Sequence, residues 1–244
     1  MADGPFPGGR SAAIALTYDD ALPCHRTVVG PALTARGLLG TFFPPAASDD
    51  LHEHVDGWRA LAAAGHELGN HSIFHPCRGR DGADWPLPEY DLRTYTRKRV
   101  RDEWILADRV LRLIDGRERR AVGPGCGDVT IGANGAEEDF SADLLPLASI
   151  IRLGGEQRLP LGPPPTVCRG MVIDHRRADE VFPLVEQVLE HGGWCCLIAH
   201  GVGAGTHPLM VDPTEHERLL DFIAGTSDRL WAGTLTGIVD ALRR

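Results

Sequence analysis

Two adjacent carboxylates, Asp19 and Asp20, end an apolar region near the start of the sequence. They stand in the segment "LTYDDAL", shortly after the apolar residues 12–15. Like charges repel each other, and a carboxylate near a core is costly to remove from water. A divalent cation would compensate both charges, because one aspartate could bind it while the other lies in its field. The alternative interpretation is a helix N-cap followed by a carboxylate in the first helical turn.

Three histidines lie close together in the segment "GHELGNHSIFHPC", which contains His66, His71 and His75. His71 and His75 are four positions apart, so on a helical turn they would share one face. By itself this spacing belongs more often to packed or surface histidines. Together with an aspartate, two imidazoles form a three-ligand set that leaves positions open for water and substrate. The combination therefore favours a catalytic metal site.

A further histidine, His200, follows an apolar run and precedes glycines in "LIAHGVGAG". A histidine at a strand end beside a flexible loop can reach a substrate, although a histidine satisfied within the core is the alternative. His25, His207 and His216 are candidates for a pocket, but their surroundings in the sequence are equally typical of surface histidines.

Alternating strands and helices would position these residues. We predict strands at residues 12–18, 40–44, 67–70, 121–124, 149–153, 195–200 and 229–234, and helices at 27–36, 54–64, 95–113, 141–148 (with Ser141 as a candidate N-cap), 178–191, 213–224 and 235–242, with a loop at 159–165. This alternation is typical of a parallel α/β sheet, either a closed barrel or an open doubly wound sheet. In both architectures, catalytic side chains collect at the carboxyl ends of strands. Without a repeat or a linker, we predict a single domain over residues 1–244.

The charge pattern excludes some classes of partner. The net charge is −9, and the sequence has no basic stripe of the kind that nucleic-acid binding needs. The arginine-rich segment "RTYTRKRVRDEW" also contains acidic residues and predicts the solvated face of a helix. No apolar run is long enough to cross a membrane, and we recognise no signal peptide. We therefore expect a cytoplasmic protein with no nucleic-acid or membrane partner, and we make no prediction of its oligomeric state.

The six cysteines form no C-x-x-C pair and are too few for a disulfide scaffold in a chain of 244 residues. Cys77 and Cys126 lie near the candidate site residues. We interpret both as small packed residues, with metal ligation or a mutual disulfide as the alternatives.

The motifs, taken in order, resemble a known family. The sequence contains "TYDD", then "NHSIFHP", then "GPGCGD", then "LIAHGVG". This order is similar to that of the metal-dependent polysaccharide deacetylases, carbohydrate esterase family 4, and the resemblance extends from about Ala13 to Leu242. It implies a distorted (β/α) barrel of the polysaccharide deacetylase type, with an Asp-His-His metal site.

The resemblance also implies a role for each matching residue. Asp20, His71 and His75 would bind one divalent metal ion, with zinc expected and cobalt, nickel or manganese as alternatives. Asp19 would be the general base that takes a proton from metal-activated water.

Three further positions match the family's other motifs. His200 would be the general acid, and the backbone N–H of Cys126 would help to hold the oxyanion. Asp174, in "MVIDHRR", is the best match to an aspartate of the fourth motif.

One position departs from the family's pattern. The third motif usually begins with an arginine that contacts the catalytic aspartate, whereas this sequence has Val122 there. Arg120 lies two residues earlier, and we expect it to point elsewhere. Asp19 would then be tuned differently, or another cation would replace the arginine.

These expectations lead to three hypotheses about function. The first is hydrolysis of an amide, the removal of an N-acetyl group from a sugar or oligosaccharide. The second keeps the scaffold but takes a small cyclic imide, a ureide or another non-sugar amide; the absence of a secretion signal and of the motif arginine favours it. The third is a non-catalytic carbohydrate-binding module, and the complete set of aspartates and histidines argues against it.

Overall fold

The computed structural model describes residues 4–80 and 85–244. The strands are β1 (Ala12–Asp19), β2 (Gly40–Phe43), β3 (Glu67–Leu68), β4 (Arg120–Val122), β5 (Thr130–Ile131), β6 (Glu138–Asp139), β7 (Ala148–Gly154), β8 (Arg158–Leu159), β9 (Val167–Val172), β10 (Gly193–Ala199), β11 (Gly201–Val202), β12 (Met210–Val211) and β13 (Leu230–Ala232). The helices are α1 (Gly30–Ala35), α2 (Asp49–Glu53), α3 (Val55–Ala63), α4 (Arg97–Asp115), α5 (Ser141–Leu144), α6 (Ala178–His191), α7 (Pro213–Gly225) and α8 (Leu235–Leu242).

The main sheet is built around β1, whose eight residues are all buried. Strands β2, β10 and β13 pair with β1 in parallel. The sheet runs in the order β3-β2-β1-β10-β9-β7-β4, and the short strand β8 pairs with β10 in the antiparallel sense. A strand with parallel neighbours and with both faces covered is continuously apolar, which explains the run that precedes the two aspartates.

The two ends of this sheet meet beyond β3. The N–H of Asn70 donates to the carbonyl of Ala121 at 2.9 Å, and the N–H of Gly123 donates to the carbonyl of Asn70 at 2.9 Å. This bridge nearly closes the parallel strands into a barrel, with helices packed around the outside. The fold is therefore the predicted (β/α) barrel rather than the open doubly wound sheet.

Alternate residues of β1 contribute to two different core clusters. Ile14, Leu16 and Tyr18 pack with the apolar faces of the surrounding helices. Ala13 and Ala15 instead pack with inward-facing residues of the other strands and with α8. Small residues suit this second cluster because side chains from several strands converge inside a narrow barrel.

Most predicted elements are present, but several differ from the prediction. The short strands β5, β6, β11 and β12 were not predicted, and the helix predicted at 141–148 ends at Leu144. The helix predicted at 54–64 begins at Val55 and is preceded by the separate helix α2. Strand β9 was not predicted, because its buried and exposed residues are mixed without a clear apolar pattern and prolines precede it. Leu159, the first residue of the predicted loop, instead forms β8 together with Arg158. Ser141 is the first residue of α5 and its side chain caps nothing, so the N-cap prediction is wrong.

None of the helices in the described ranges is long and apolar enough to span a membrane.

Candidate active site

The two aspartates lie at the carboxyl end of β1, on the rim of the barrel. Asp19 ends the strand, whereas Asp20 and Ala21 adopt φ angles of 82° and 53°. Residues other than glycine rarely adopt this left-handed conformation. The turn leaves Asp19 buried and Asp20 partly exposed, so the adjacent carboxylates have different surroundings. Neither one caps the next helical segment, and the helix-cap interpretation is therefore wrong.

His71 and His75 lie on an irregular turn that follows β3. Ser72 and His75 have φ angles of 63° and 53°, so the two histidines do not lie on a helical turn. The turn is held by hydrogen bonds from the Ser72 N–H to Asn70 Oδ1 and from the His75 N–H to Ser72 Oγ, at 2.9 and 3.0 Å. The two imidazoles nevertheless meet, with their ring centroids 4.6 Å apart.

Asp20, His71 and His75 form a cluster that could hold a metal ion. Oδ1 of Asp20 lies 3.4 Å from Nε2 of His71 and 3.3 Å from Nε2 of His75. Burial and the neighbouring His71 lower the pKa of His75 to about 4, which keeps its imidazole neutral. Burial alone would raise the pKa of Asp20, but the surrounding histidines hold it below its usual range. A neutral imidazole and an ionised carboxylate are the protonation states that metal ligation requires.

The tautomer of His71 fits the same role. Its Nδ1–H donates to the carbonyl of Gly123, so the lone pair lies on Nε2. Nε2 is buried and has no hydrogen-bond partner in the part of the chain that the structure describes. A buried polar atom without a partner is costly, and a metal ion at the cluster would remove that cost. This backbone-anchored imidazole is typical of histidines that bind metals.

Asp19 is paired with an arginine on another strand of the barrel. Nη2 of Arg152 lies 2.7 and 2.8 Å from the two carboxylate oxygens of Asp19. Burial alone would raise the pKa of Asp19, but Arg152 and His71 hold it below its usual range. Asp19 is therefore an ionised carboxylate that is almost fully buried, 3.9 Å from Nε2 of His71.

Arg152 makes the contact with Asp19 that the family resemblance assigns to the arginine of the third motif. It projects from the middle of β7, with its guanidinium 4.6 Å from the ring centre of Phe43. A β-carbon at Gly123 would come within 2.6 Å of the Arg152 guanidinium, so glycine leaves the space that the arginine occupies. Val122 packs in a separate apolar cluster. Arg120 points away from Asp19, as expected, and forms ion pairs with Asp108 and Asp115.

His200 and Asp174 form a second charged pair beside the aspartates. Nδ1 of His200 lies 2.7 Å from Oδ2 of Asp174, and the His200 N–H donates to Oδ1 at 3.0 Å. Burial alone would lower the pKa of His200, but the hydrogen bond to Asp174 and the charge of Asp19 raise it. Nε2 of His200 faces Oδ2 of Asp20 at 4.0 Å. The structure thus brings Asp174, the candidate aspartate of the fourth motif, into contact with His200.

Cys126 belongs to a 3-10 turn, Gly125–Gly127, that borders the same site. Its φ angle is 54°, again in the left-handed region. Cys77 and Cys126 form a disulfide. The interpretation of both as small packed residues is therefore wrong, and the alternative of a mutual disulfide is correct. The pairing could not be chosen from the sequence, because it depends on two loops that are 49 residues apart.

These groups open onto a cavity of about 650 Å³. Besides the aspartates, His75, Cys126, Arg152 and His200, its lining includes Pro45, Trp85, Pro124, Val172, Ile198, His207, Pro208 and Leu209. The pocket is therefore largely apolar and contains a small number of polar groups, which is usual for sites that bind small ligands.

His207 is part of this site although its sequence surroundings gave no signal for it. Its Nε2 lies 3.7 Å from Oδ2 of Asp20, and its ring lies parallel to that of His200 at 5.5 Å. The other candidate histidines are structural. His25 bonds to the carbonyl of His200, and His216 bonds to the hydroxyl of Tyr18.

Comparison with known proteins assigns the family. The sequence profile described as Polysaccharide deacetylase matches residues 8–138, which is more than half of the chain. The chain therefore belongs to the polysaccharide deacetylase family. No curated protein sequence matches it.

Solved structures share the fold over nearly the whole chain at low sequence identity. A probable polysaccharide deacetylase from Pseudomonas aeruginosa PAO1 is 14% identical, with a TM-score of 0.68 over 98% of this chain and 94% of the other. A putative polysaccharide deacetylase from Mycobacterium smegmatis is 14% identical, with a TM-score of 0.61 over 100% and 94% of the chains. The peptidoglycan deacetylase PdaC from Bacillus subtilis is 13% identical, with a TM-score of 0.53 over 95% and 92%.

Proposed function

We propose that this protein is a metal-dependent hydrolase of amide bonds that removes N-acetyl groups from a sugar or oligosaccharide. One observation carries the proposal: a three-ligand cluster, an arginine-paired carboxylate and an aspartate-paired histidine face one cavity. Membership of the polysaccharide deacetylase family supports it. A module that only bound carbohydrate would not need two separately tuned acid and base groups beside the cluster.

Asp20, His71 and His75 would hold the metal. Two nitrogen ligands and one oxygen ligand suit zinc, with cobalt, nickel and manganese as alternatives. Bound there, a divalent ion would supply Lewis-acid polarisation of the amide carbonyl and would acidify a water molecule.

The groups around the cluster would carry the proton transfers. Asp19, kept ionised by Arg152, would accept the proton of the attacking water. His200, with its pKa raised beside Asp174, would donate a proton to the departing amine, which leaves poorly without one. The N–H of Cys126 would donate a hydrogen bond to the oxyanion that forms during attack. The base and the acid would therefore be two separate residues, as addition of water followed by expulsion of the amine requires.

Two features of the structure, the size of the cavity and the disulfide beside it, bear on which amide is the substrate. The cavity of about 650 Å³ has the volume of a small-molecule site, which favours a short oligosaccharide or the second candidate, a cyclic imide or other small amide. The Cys77–Cys126 disulfide is instead typical of oxidising compartments, where sugar polymers of the cell surface are accessible.

A substrate screen tests the proposed function. The metal-reconstituted protein is offered N-acetylated sugars and oligomers in parallel with cyclic imides and ureides, and acetate and ring opening are measured. Release of acetate from the sugars alone supports the proposal. Ring opening without acetate release supports the second candidate and rejects deacetylation.

A further inference from the structure

The Cys77–Cys126 disulfide joins two loops that each carry one group of the proposed site. Cys77 is two residues beyond His75, one of the proposed metal ligands. Cys126 carries the backbone N–H proposed to bind the oxyanion. The other four cysteines are free and buried, so this bond is the only disulfide in residues 4–80 and 85–244.

His75 depends on the neighbouring loop for its position. It has a left-handed φ angle and lies outside any helix or strand, so its own backbone gives it little regular support. Its ring packs directly on Gly125, where an added β-carbon would lie 3.2 Å from the ring. Sγ of Cys77 lies 3.6 Å from Nδ1 of His75, on the side of the ring away from Asp20.

Cys126 also holds a conformation that its residue type disfavours. A left-handed residue with a β-carbon persists only when its surroundings fix it. Glycines flank it on both sides, so the local sequence does not restrain the turn. A hydrogen bond of 2.9 Å from the Arg78 N–H to Oδ2 of Asp128 also joins the two loops.

We propose that the Cys77–Cys126 disulfide is a positioning device for the reaction. It fixes the position of the His75 imidazole relative to the Cys126 N–H. Breaking the disulfide therefore weakens metal binding and also slows turnover. The proposal rests on the proposed function, since it assumes that His75 binds the metal and that Cys126 stabilises the oxyanion. The Arg78–Asp128 hydrogen bond survives reduction, so the loops loosen but do not separate.

A trialkylphosphine breaks this bond without adding a thiol chelator. The phosphine attacks one sulfur and the S–S bond breaks. Water then supplies the oxygen of the phosphine oxide, and its two protons convert the sulfurs of Cys77 and Cys126 into thiols. The remaining cysteines are already thiols, so this reduction changes one bond only.

The test compares three proteins: the oxidised wild type, the reduced wild type and the Cys77→Ser/Cys126→Ser double variant. Zinc affinity is measured by competition with a chromophoric chelator, and kcat and KM are measured on an N-acetylated oligosaccharide. We expect zinc affinity to fall about 10-fold in the double variant, a typical effect of losing an outer support of a ligand. We expect kcat to fall roughly 10- to 100-fold with little change in KM, because the oxyanion contact acts in the transition state. The double variant should not respond to phosphine.

A stability control separates positioning from simple destabilisation. Leu220 is fully buried on α7, in the cluster between the barrel and its outer helices. Leu220→Ala should lower the melting temperature without changing zinc affinity or kcat. If the reduced wild type and the double variant bind zinc as tightly as the oxidised protein, the proposal is overturned. The zinc measurement needs no substrate, so it decides the matter even if no sugar is deacetylated and the proposed function fails.

Discussion

At the scale of single residues, the site depends on two charged pairs that support Asp19 and His200. Arg152 binds both oxygens of Asp19, and Asp174 binds both the ring and the backbone N–H of His200. Each partner fixes the orientation of a group that the reaction would use. Arg152 lowers the pKa of Asp19 and keeps it ionised, whereas Asp174 raises the pKa of His200 and favours its protonated form.

Asp19→Asn should separate catalysis from metal binding. The amide keeps the size of the side chain but cannot accept the proton, so we expect kcat to fall roughly 10²- to 10⁴-fold. Zinc stoichiometry should stay at the wild-type value, because Asp20, His71 and His75 are intact. Asp20→Asn is the matched control and should lose zinc. Full activity in Asp19→Asn would show that another group is the base.

The Arg152–Asp19 pair should be strongly coupled in stability. Arg152→Met leaves a buried carboxylate without its partner, and we expect a loss of about 3–5 kcal/mol in the free energy of unfolding. The Arg152→Met/Asp19→Asn double variant removes the uncompensated charge and should lose less than the sum of the single variants. Urea unfolding of all four proteins gives the coupling. Additive free energies would contradict a direct pair.

At the scale of elements, His66 connects α1 to β2 through hydrogen bonds at both of its ring nitrogens. Its Nδ1 accepts a hydrogen bond from the Gly40 N–H at 3.1 Å, and its Nε2 lies 3.0 Å from Thr34 Oγ1. Both bonds need the neutral ring with its proton on Nε2. Burial lowers the pKa of His66 to about 4, so this histidine is a structural support rather than a ligand.

This arrangement predicts a pH dependence of stability. The pKa of His66 in the folded protein is below the value of 6.5 for an exposed histidine, so the unfolded chain binds the proton first. The stabilisation is complete above about pH 6.5 and is lost as pH falls towards 4, by up to about 3 kcal/mol. His66→Gln should lack this component. Urea unfolding at pH 7.5 and 4.5 measures it, and His191→Gln, at an exposed site on α6, is the control. An equal acid-induced loss in His66→Gln and wild type would contradict the prediction.

At the scale of the whole molecule, the barrel brings the site together from distant segments. Asp19 and Arg152 are 133 residues apart, and His25 bonds to the backbone of His200 across 175 residues. Metal binding at the junction of these segments should therefore stabilise the folded chain as a unit. A ligand that binds only the folded state adds about 4 kcal/mol at 1,000 times its dissociation constant.

Removal of the metal should accordingly lower the melting temperature. For a domain of this size each kcal/mol corresponds to about 2–4 °C, so we expect a decrease on the order of 10 °C on chelation. Calorimetry before chelation, after it and after zinc is restored measures the effect. His75→Ala should respond to neither step. A wild-type response in that variant would place the metal elsewhere.

Much of the fold and of the candidate site could be predicted from particular residues. The apolar run before Asp19 predicted a buried parallel strand, and the periodicity of residues 95–113 predicted the helix found as α4. Elements with weak or mixed patterns were missed, as β9 was. Arg152 was also missed, although an arginine in the buried strand "SIIRL" does signal that a buried partner must exist.

The sequence by itself determined which residue types were available and in what order: two carboxylates at a strand end, two histidines four residues apart, and a later histidine before glycines. These are local features, and strand and helix periodicity is also local. Only the tertiary structure decided that Arg152 pairs with Asp19, that Cys77 bonds to Cys126 and that His207 faces Asp20. Each of these contacts depends on the register of strands and on loops that meet only when the barrel closes, and no local pattern specifies that geometry.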